Sequence, residues 1–478
     1  MPVTVIHAGQ ASAKRLERLL SQRFEDRESV REPEVTIRWG LTDAPDPPGV
    51  VLNGRRALAD ASVRERIWTL LARYGIHTPQ ESPESEIRRL NLIRQYRIPV
   101  LDHAILSCFR SEDRNIWLNK RLSRIRDDYV EIPEDADRET IRACRLALRA
   151  THALGLDFGL VSLGVGPKGR LFVLDVSPTP VLTGRLLDLF KDGIARYVET
   201  LARPRGSARL MLGADLEFML RGKTGKIVPA SRYFPRKGEV GCDDRTLHGD
   251  AGLLPLAEIR PPAATSPLRL VEHIRSALTE AAQLCPSRKI KWVAGSMPFR
   301  GFPIGGHIHF SGVPPGSRLV RMLDTYVGLP VALLEEPLTA RVRRQKYGFL
   351  GDIRRKPHGG FEYRTPGSWL VSPEISTAVL CLADIAAREF EHVTEWPFLD
   401  PEVQEAFYTG NRSVLKPVFF SMWERLKRSS LFETYEEYLS VIPWMIEQDL
   451  TWDESVDIRE TWDISIPKRR VRARAAAR

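Results

Sequence analysis

The chain has 478 residues, which at about 100 to 200 per domain makes two to four domains, and its 43% apolar content is ample for their cores. No stretch approaches the ~18 to 20 uncharged apolar residues of a spanning helix, and MPVTVIHAGQ carries no basic segment followed by an apolar one, so neither membrane insertion nor secretion is expected. Five scattered cysteines without a CxxC pair write no disulfide framework and no zinc site, and fit a reducing cytoplasm. The net charge of +10 drops to +4 without Lys468 to Arg478, which hold six Lys/Arg and no acid; this run reads as a solvated tail, and nucleic acid is not the expected partner.

In chain order, residues 3–7 (VTVIH), 35–39 (VTIRW) and 50–53 read as strands, followed by an amphipathic helix in ASVRERIWTLLARYG that stops at Gly75. Strand signals recur at 99–109 and 114–118, a helix at 138–154, and a hairpin in FGLVSLGV, Gly-Pro-Lys-Gly, RLFVLDV. ARPRGSA, 202–208, reads as a linker, beyond which strands alternate with helices at 267–284, 318–334 and 373–390 before a helical, Trp-rich end. The division expected is a small α/β unit over 1–85, a second module over 86–204, an α+β domain over 208–445 and a basic, disordered tail over 465–478.

Four strand-like pieces of the second half place polar residues at i and i+2 around one apolar residue: Asp215-Leu216-Glu217, Glu258-Ile259-Arg260, His307-Ile308-His309 and Glu362-Tyr363-Arg364. Side chains alternate along a strand, so each polar pair shares one face. In one sheet, that face would collect carboxylates, imidazoles and guanidiniums. Ionised carboxylates do not crowd together without compensation, and oxygen ligands with one or two imidazoles suit Mg2+ or Mn2+ better than zinc.

The run RVRRQKYGFLGDIRRKPHGG carries seven Lys/Arg against Asp352. Its first part, Arg341 to Lys346, reads as a solvated face. Arg354 and Arg355 lie in a Gly/Pro-bounded loop just before Glu362, better placed to meet a phosphate. Divalent ions beside arginines serve phosphoryl transfer by neutralising phosphate oxygens.

GADLEF, AEIRP, GGHIHFSG and GFEYRTPGS, in that order, resemble the glutamine synthetase-like carboxylate-amine ligases, and most of all their phage and bacterial amidoligase branch, over about residues 208 to 440. The resemblance implies an antiparallel sheet funnel holding two or three Mg2+ or Mn2+ ions, with ATP and a carboxylate substrate entering from opposite ends. It implies Asp215 and Glu217 as ligands of different ions, Glu258, His307 and Glu362 as further metal ligands, and Asp243 or Asp244 as one more. Arg364, with Arg354 or Arg355, would contact phosphates, and His309 would face nucleotide or substrate. The reaction implied is transfer of the γ-phosphoryl group of ATP to a small-molecule, peptide or protein carboxylate, then amide or peptide bond formation by an amine. Asp215 stands where glutamine synthetase has a glutamate, and that enzyme's ammonia pocket is not identifiable, so glutamine formation is not implied.

The first half resembles the ATP-grasp ligases, through WGLTDAPDPPGVVLNGRRAL, YGIHTP, LGLDFGLVSLG and LFVLDVSPTP. That family's Mg2+ ligands are replaced by Ser162, Asp175 and Ser177, and no room remains for its nucleotide-clamping subdomain. A truncated, inert module is expected, with Asp175 as a residual ligand at most. The rival readings are a metal-dependent phosphohydrolase using the same face, and a non-catalytic coat- or phage-associated assembly protein.

Overall fold

A computed structural model describes residues 3–24, 35–79, 89–118, 120–202, 209–247, 249–250, 252–357, 359–390 and 396–466. The expected linker beyond Ala202 and the basic tail beyond Ile466 lie outside these residues. The chain forms two compact units. One comprises Met1–Ser207 with Gly316–Arg318 and Phe398–Glu405, the other Ala208–Pro315, Leu319–Pro397 and Ala406–Arg478.

In the first unit, β1 (Val3–His7), β2 (Val35–Trp39) and β3 (Val50–Leu52) make a parallel sheet. Trp39 from β2 stacks on Phe158 at 5.0 Å between ring centroids and meets Phe190 edge-on at 5.7 Å, which joins that sheet to the rest of the unit's core. A second, antiparallel sheet contains β4 (Arg94–Leu101), β5 (Cys108–Ser111), β6 (Val130–Ile132), β7 (Phe158–Val165) and β8 (Leu171–Ser177), in the order β8-β7-β4-β5-β6. The strand expected over 99–109 is broken, because Asp102 and His103 take positive φ and turn the chain. The helix Arg138–Ala153 begins where Asp137 accepts a hydrogen bond from the Thr140 amide at 2.7 Å.

The second unit is built on one antiparallel sheet. Its main strands are β9 (Met211–Arg221), β10 (Val240–Cys242), β11 (Leu256–Ile259), β12 (Gly306–Ser311), β13 (Ile353–Arg355) and β14 (Phe361–Tyr363), in the order β10-β11-β9-β12-β14-β13. The four i, i+2 motifs fall on β9, β11, β12 and β14 or their ends. Leu216, Ile259, Ile308 and Tyr363, their central residues, are fully buried on the reverse face. Pro267–Leu284 covers that reverse face with Leu270, Ile274, Ala277, Leu278 and Ala281, a stripe at helical spacing. Behind β14, Asp324–Gly328 forms a π turn, and a Cβ on Gly328 would stand 2.7 Å from the Tyr363 hydroxyl, so only glycine fits there. Among the described residues no helix is long and apolar enough to cross a membrane.

Candidate active site

Cross-strand register assembles the polar face. Asp215 lies opposite His307, Glu217 opposite Glu258, and Glu362 opposite both His309 and Arg354. Directly opposed residues of an antiparallel pair point to the same side, so all these side chains share one face.

At one end of that face, His309 Nε2 stands 3.0 Å from Asp215 Oδ2 and 3.5 Å from Glu362 Oε2. One donor atom from each of these three residues lies within 4.8 Å of the others, a spacing that fits one cation. Both Glu362 oxygens and His309 Nε2 are buried and face charged partners. Two carboxylates with one imidazole match the donor set of Mg2+ or Mn2+.

Around Glu362 stand Arg354 Nη2 at 2.6 Å, Lys356 Nζ at 2.5 Å and Arg364 Nε at 3.0 Å. Burial alone would raise the Glu362 pKa, but Arg354 and Lys356 hold it below the usual carboxylate range. Burial opposes ionisation of Asp215 too, but the His309 hydrogen bond together with the charges of His309, Lys356 and Arg260 outweighs it, so this carboxyl also titrates low. A cleft of about 280 Å³ opens beside the group, lined by Gly213, Asp215, Arg260, His309 and Lys356 among others.

The other end is arranged differently. Glu217, 1% exposed, accepts Arg245 Nη2 at 3.1 and 3.0 Å on its two oxygens and the Gly305 amide at 2.8 Å. His307 Nε2 is hydrogen-bonded to the Tyr347 hydroxyl, which also accepts from Arg364 Nη2 at 2.8 Å. Burial, followed by the charges of Arg364 and Arg343, holds the His307 pKa far below the usual imidazole value, so the ring is neutral at pH 7. The guanidinium carbons of Arg364, Arg343 and Arg245 lie 4.9, 5.0 and 6.0 Å from the Tyr347 ring centroid.

Glu258 pairs with Arg260, and its pKa is pushed up to about 8 by burial and by the neighbouring Asp215 charge. Two residues expected at the site are placed elsewhere. Arg355 is offset by one position from Arg354, so it points to the opposite face, where it donates to the Pro315 carbonyl at 2.9 Å. Asp244 is exposed on the turn after β10, while its neighbour Asp243 accepts from the Arg245 amide at 2.7 Å and from Arg245 Nε at 3.3 Å. Arg343 and Arg344, expected on a solvated face, are 0% and 2% exposed. Arg343 spends its donors on the carbonyls of Ile304, Arg364, Thr365 and Pro366, and Arg344 pairs with Glu335.

Arg245, Tyr347 and Lys356 were not singled out from sequence. Lys356 sits inside the basic run and Tyr347 directly after its first part, whereas GCDDR has no local signal that would send Arg245 to Glu217. In the first unit, Asp175 is fully buried and takes Arg64 Nη2 at 3.3 Å, Arg121 Nε at 3.0 Å and the Leu122 amide at 2.7 Å. Its charge is met by two arginines, which corrects its reading as a residual metal ligand.

The sheet face thus carries a carboxylate-imidazole group ringed by cations. The family described as "Phage phiEco32-like COOH.NH2 ligase-type 2" matches residues 212–464, which include all of this face's strands but Met211. The chain belongs to that family and is an ATP-dependent carbon-nitrogen ligase. A search of curated proteins finds no match. Among solved structures, the ATP-grasp ligase PsnB complexed with minimal precursor, Mg and ADP is similar at 13% identity over 41% of this chain and 96% of that one, with a TM-score of 0.28. The macrocyclase MdnC bound with precursor peptide MdnA from Microcystis aeruginosa is similar at 10% identity over 41% and 100%, TM-score 0.28. A bifunctional glutathione synthetase from Pasteurella multocida is similar at 12% identity over 53% and 48%, TM-score 0.31.

Proposed function

We propose that the second unit joins a carboxylate to an amine through an acyl phosphate, in a glutamine synthetase-like arrangement, and that the first unit takes no part in the chemistry. The observation that carries this reading is the Asp215–His309–Glu362 group with Arg354, Lys356 and Arg364 gathered on Glu362. Asp215, His309 and Glu362 would hold Mg2+ or Mn2+, which when bound neutralises phosphate oxygens. Arg354 and Lys356, at the sheet edge, turn from Glu362 to the triphosphate, and Arg364 stabilises charge on the transferring group.

In the first step the bond between the γ-phosphorus and the bridging oxygen of ATP breaks, a substrate carboxylate oxygen bonds to that phosphorus, and ADP leaves. In the second, the amine nitrogen attacks the acyl carbon, the carbon-oxygen bond breaks and phosphate departs. Glu258, with a pKa near 8, is suited to take the proton the amine sheds, a role that differs from the metal ligation expected of it. The carboxylate belongs to a small molecule or a peptide, and a protein substrate would serve by the same chemistry.

The test is ADP release from ATP with Mg2+ or Mn2+, with and without a pool of amino acids and polyamines, in the native chain, Asp215→Asn and Glu362→Gln. Amine-stimulated ADP release that both substitutions abolish is expected. Phosphate release that ignores amines would instead mark a phosphohydrolase, and absence of ATP binding would mark an assembly protein.

A further inference from the structure

We propose that the sheet takes one divalent cation, at Asp215–His309–Glu362, and that Arg245 fills a second cationic position as a built-in guanidinium. The proposal rests on the ligase reading, whose family resemblance implies two or three ions, with Glu217 and His307 serving an ion apart from that of Glu362.

The donors of that further position are already spent. Both Glu217 oxygens accept from Arg245 Nη2, and the Gly305 amide adds a third bond. His307 Nε2, the atom a metal would need, is bonded to the Tyr347 hydroxyl. Gly305 packs closely against this ring, since a Cβ there would stand 2.6 Å from His307 Nε2 and 3.2 Å from Tyr347 Cε1. This close approach is what the glycine before GHIHF permits, and it is made by the protein's own imidazole rather than by a ligand.

Charge agrees with geometry. Glu217 and Asp243 both face Arg245, while the nearby Arg343 has its donors on backbone carbonyls. An incoming dication would have to evict Arg245, which is tied to Asp243, Glu217 and the Pro303 carbonyl and lies over the Tyr347 ring. Breaking a buried pair in this way leaves uncompensated charge. Glu362 at the first position also meets cations, but Arg354 and Lys356 reach it from the sheet edge, whereas Arg245 is held in addition by Asp243 and the Pro303 carbonyl. A guanidinium keeps its charge at any physiological pH and is not removed by chelators. It therefore gives this end of the site a permanent positive charge with fixed donors.

The test counts ions. Full-length, chelator-stripped protein is titrated with Mn2+, and bound ion is measured by equilibrium dialysis and by the loss of the free Mn2+ paramagnetic resonance signal. One Mn2+ per chain is expected, absent in Glu362→Gln and Asp215→Asn, and retained in Glu217→Gln and Arg245→Lys. Arg245→Ala, confirmed folded by circular dichroism, should raise the count to two. Two ions per native chain, with one lost in Glu217→Gln, would overturn the proposal, and so would no bound ion at all. The native count is decisive even if Arg245→Ala does not fold. Amine-dependent ADP release together with two ions would sink this inference and leave the ligase reading standing; one ion with no ATP cleavage for any amine would sink the ligase reading alone.

Discussion

Asp324 accepts the phenolic proton of Tyr363 at 2.9 Å from behind the sheet, and Tyr363 is the residue between Glu362 and Arg364. The same Asp324 oxygen accepts the Gly351 amide at 3.0 Å, and the next residue, Asp352, offers its carbonyl to the Arg364 amide at 2.8 Å. One buried carboxylate in a π turn thus braces both the strand and the loop that deliver the cation-rich end of the site. Tyr363→Phe removes the hydroxyl donor and should cost about 1 to 3 kcal/mol, the usual consequence of leaving a buried acceptor short of a bond. Urea unfolding measures this. A midpoint unchanged from the native chain would show that Asp324 does not brace the strand through Tyr363.

Asp175→Asn tests whether this buried carboxylate serves its two arginines. Arg64 is buried and Arg121 about one-third exposed, and both rely on Asp175 for their counter-charge. The substitution should destabilise the protein by roughly 3 to 5 kcal/mol, as breaking buried pairs does. Folded protein should still bind as much Mn2+ as the native chain, because this carboxylate is spent on arginines. A lower Mn2+ count in the folded variant would restore Asp175 as a ligand.

The polar face was legible because strands repeat every two residues, so Asp215-Leu216-Glu217 or His307-Ile308-His309 announces both its element and its sidedness. The helices at 267–284 and 373–390 were legible for the same reason at a period of 3.6. Partners drawn from loops were not. Arg245 reaches Glu217 and Tyr347 reaches His307 across folds of the chain that periodicity does not encode. Charge runs misled in the same way. Arg343 looks like a solvated residue beside Arg341 and Lys346, yet the carbonyls of Ile304, Thr365 and Pro366 converge on it only once the sheet has formed. Arg355 shows the cost of a single register step, since its neighbour Arg354 faces Glu362 and it faces away.

On the proposed reading, Lys356 should separate nucleotide binding from metal binding. Its ammonium lies 2.5 Å from Glu362 Oε2, an oxygen that would also serve the proposed cation, and it lines the cleft beside Asp215 and His309. Lys356→Ala should raise KM for ATP by roughly ten- to a hundredfold, in line with the ~1.5 to 3 kcal/mol of a hydrogen bond to a charged group, with a smaller effect on kcat. It should also tighten Mn2+ binding in the absence of nucleotide, because Glu362 loses a competitor. Steady-state kinetics and the dialysis titration read the two effects separately, and weaker binding of both ligands would contradict this assignment.

Glu454 supplies a pH dependence independent of the site's ionic groups. It is 8% exposed and accepts from the Ser296 and Met297 amides and from Thr339 Oγ1. Burial raises its pKa from the ordinary 4.5 to about 7 despite these bonds. Between those values the folded chain holds a proton that the unfolded chain has released, so the stabilising contribution is complete below about pH 4.5 and is lost as pH rises through about 7. Each tenfold difference in proton affinity between the folded and unfolded chain is worth about 1.4 kcal/mol, so the loss is on the order of 3 kcal/mol. The denaturant midpoint should therefore fall between pH 5 and 8, and Glu454→Gln, which keeps an acceptor without a charge to desolvate, should flatten that fall. Glu258, raised to about 8 in the same direction, leaves a residual slope in the variant. Equal slopes in the native chain and Glu454→Gln would show that Glu454 is ionised in the folded protein throughout this range.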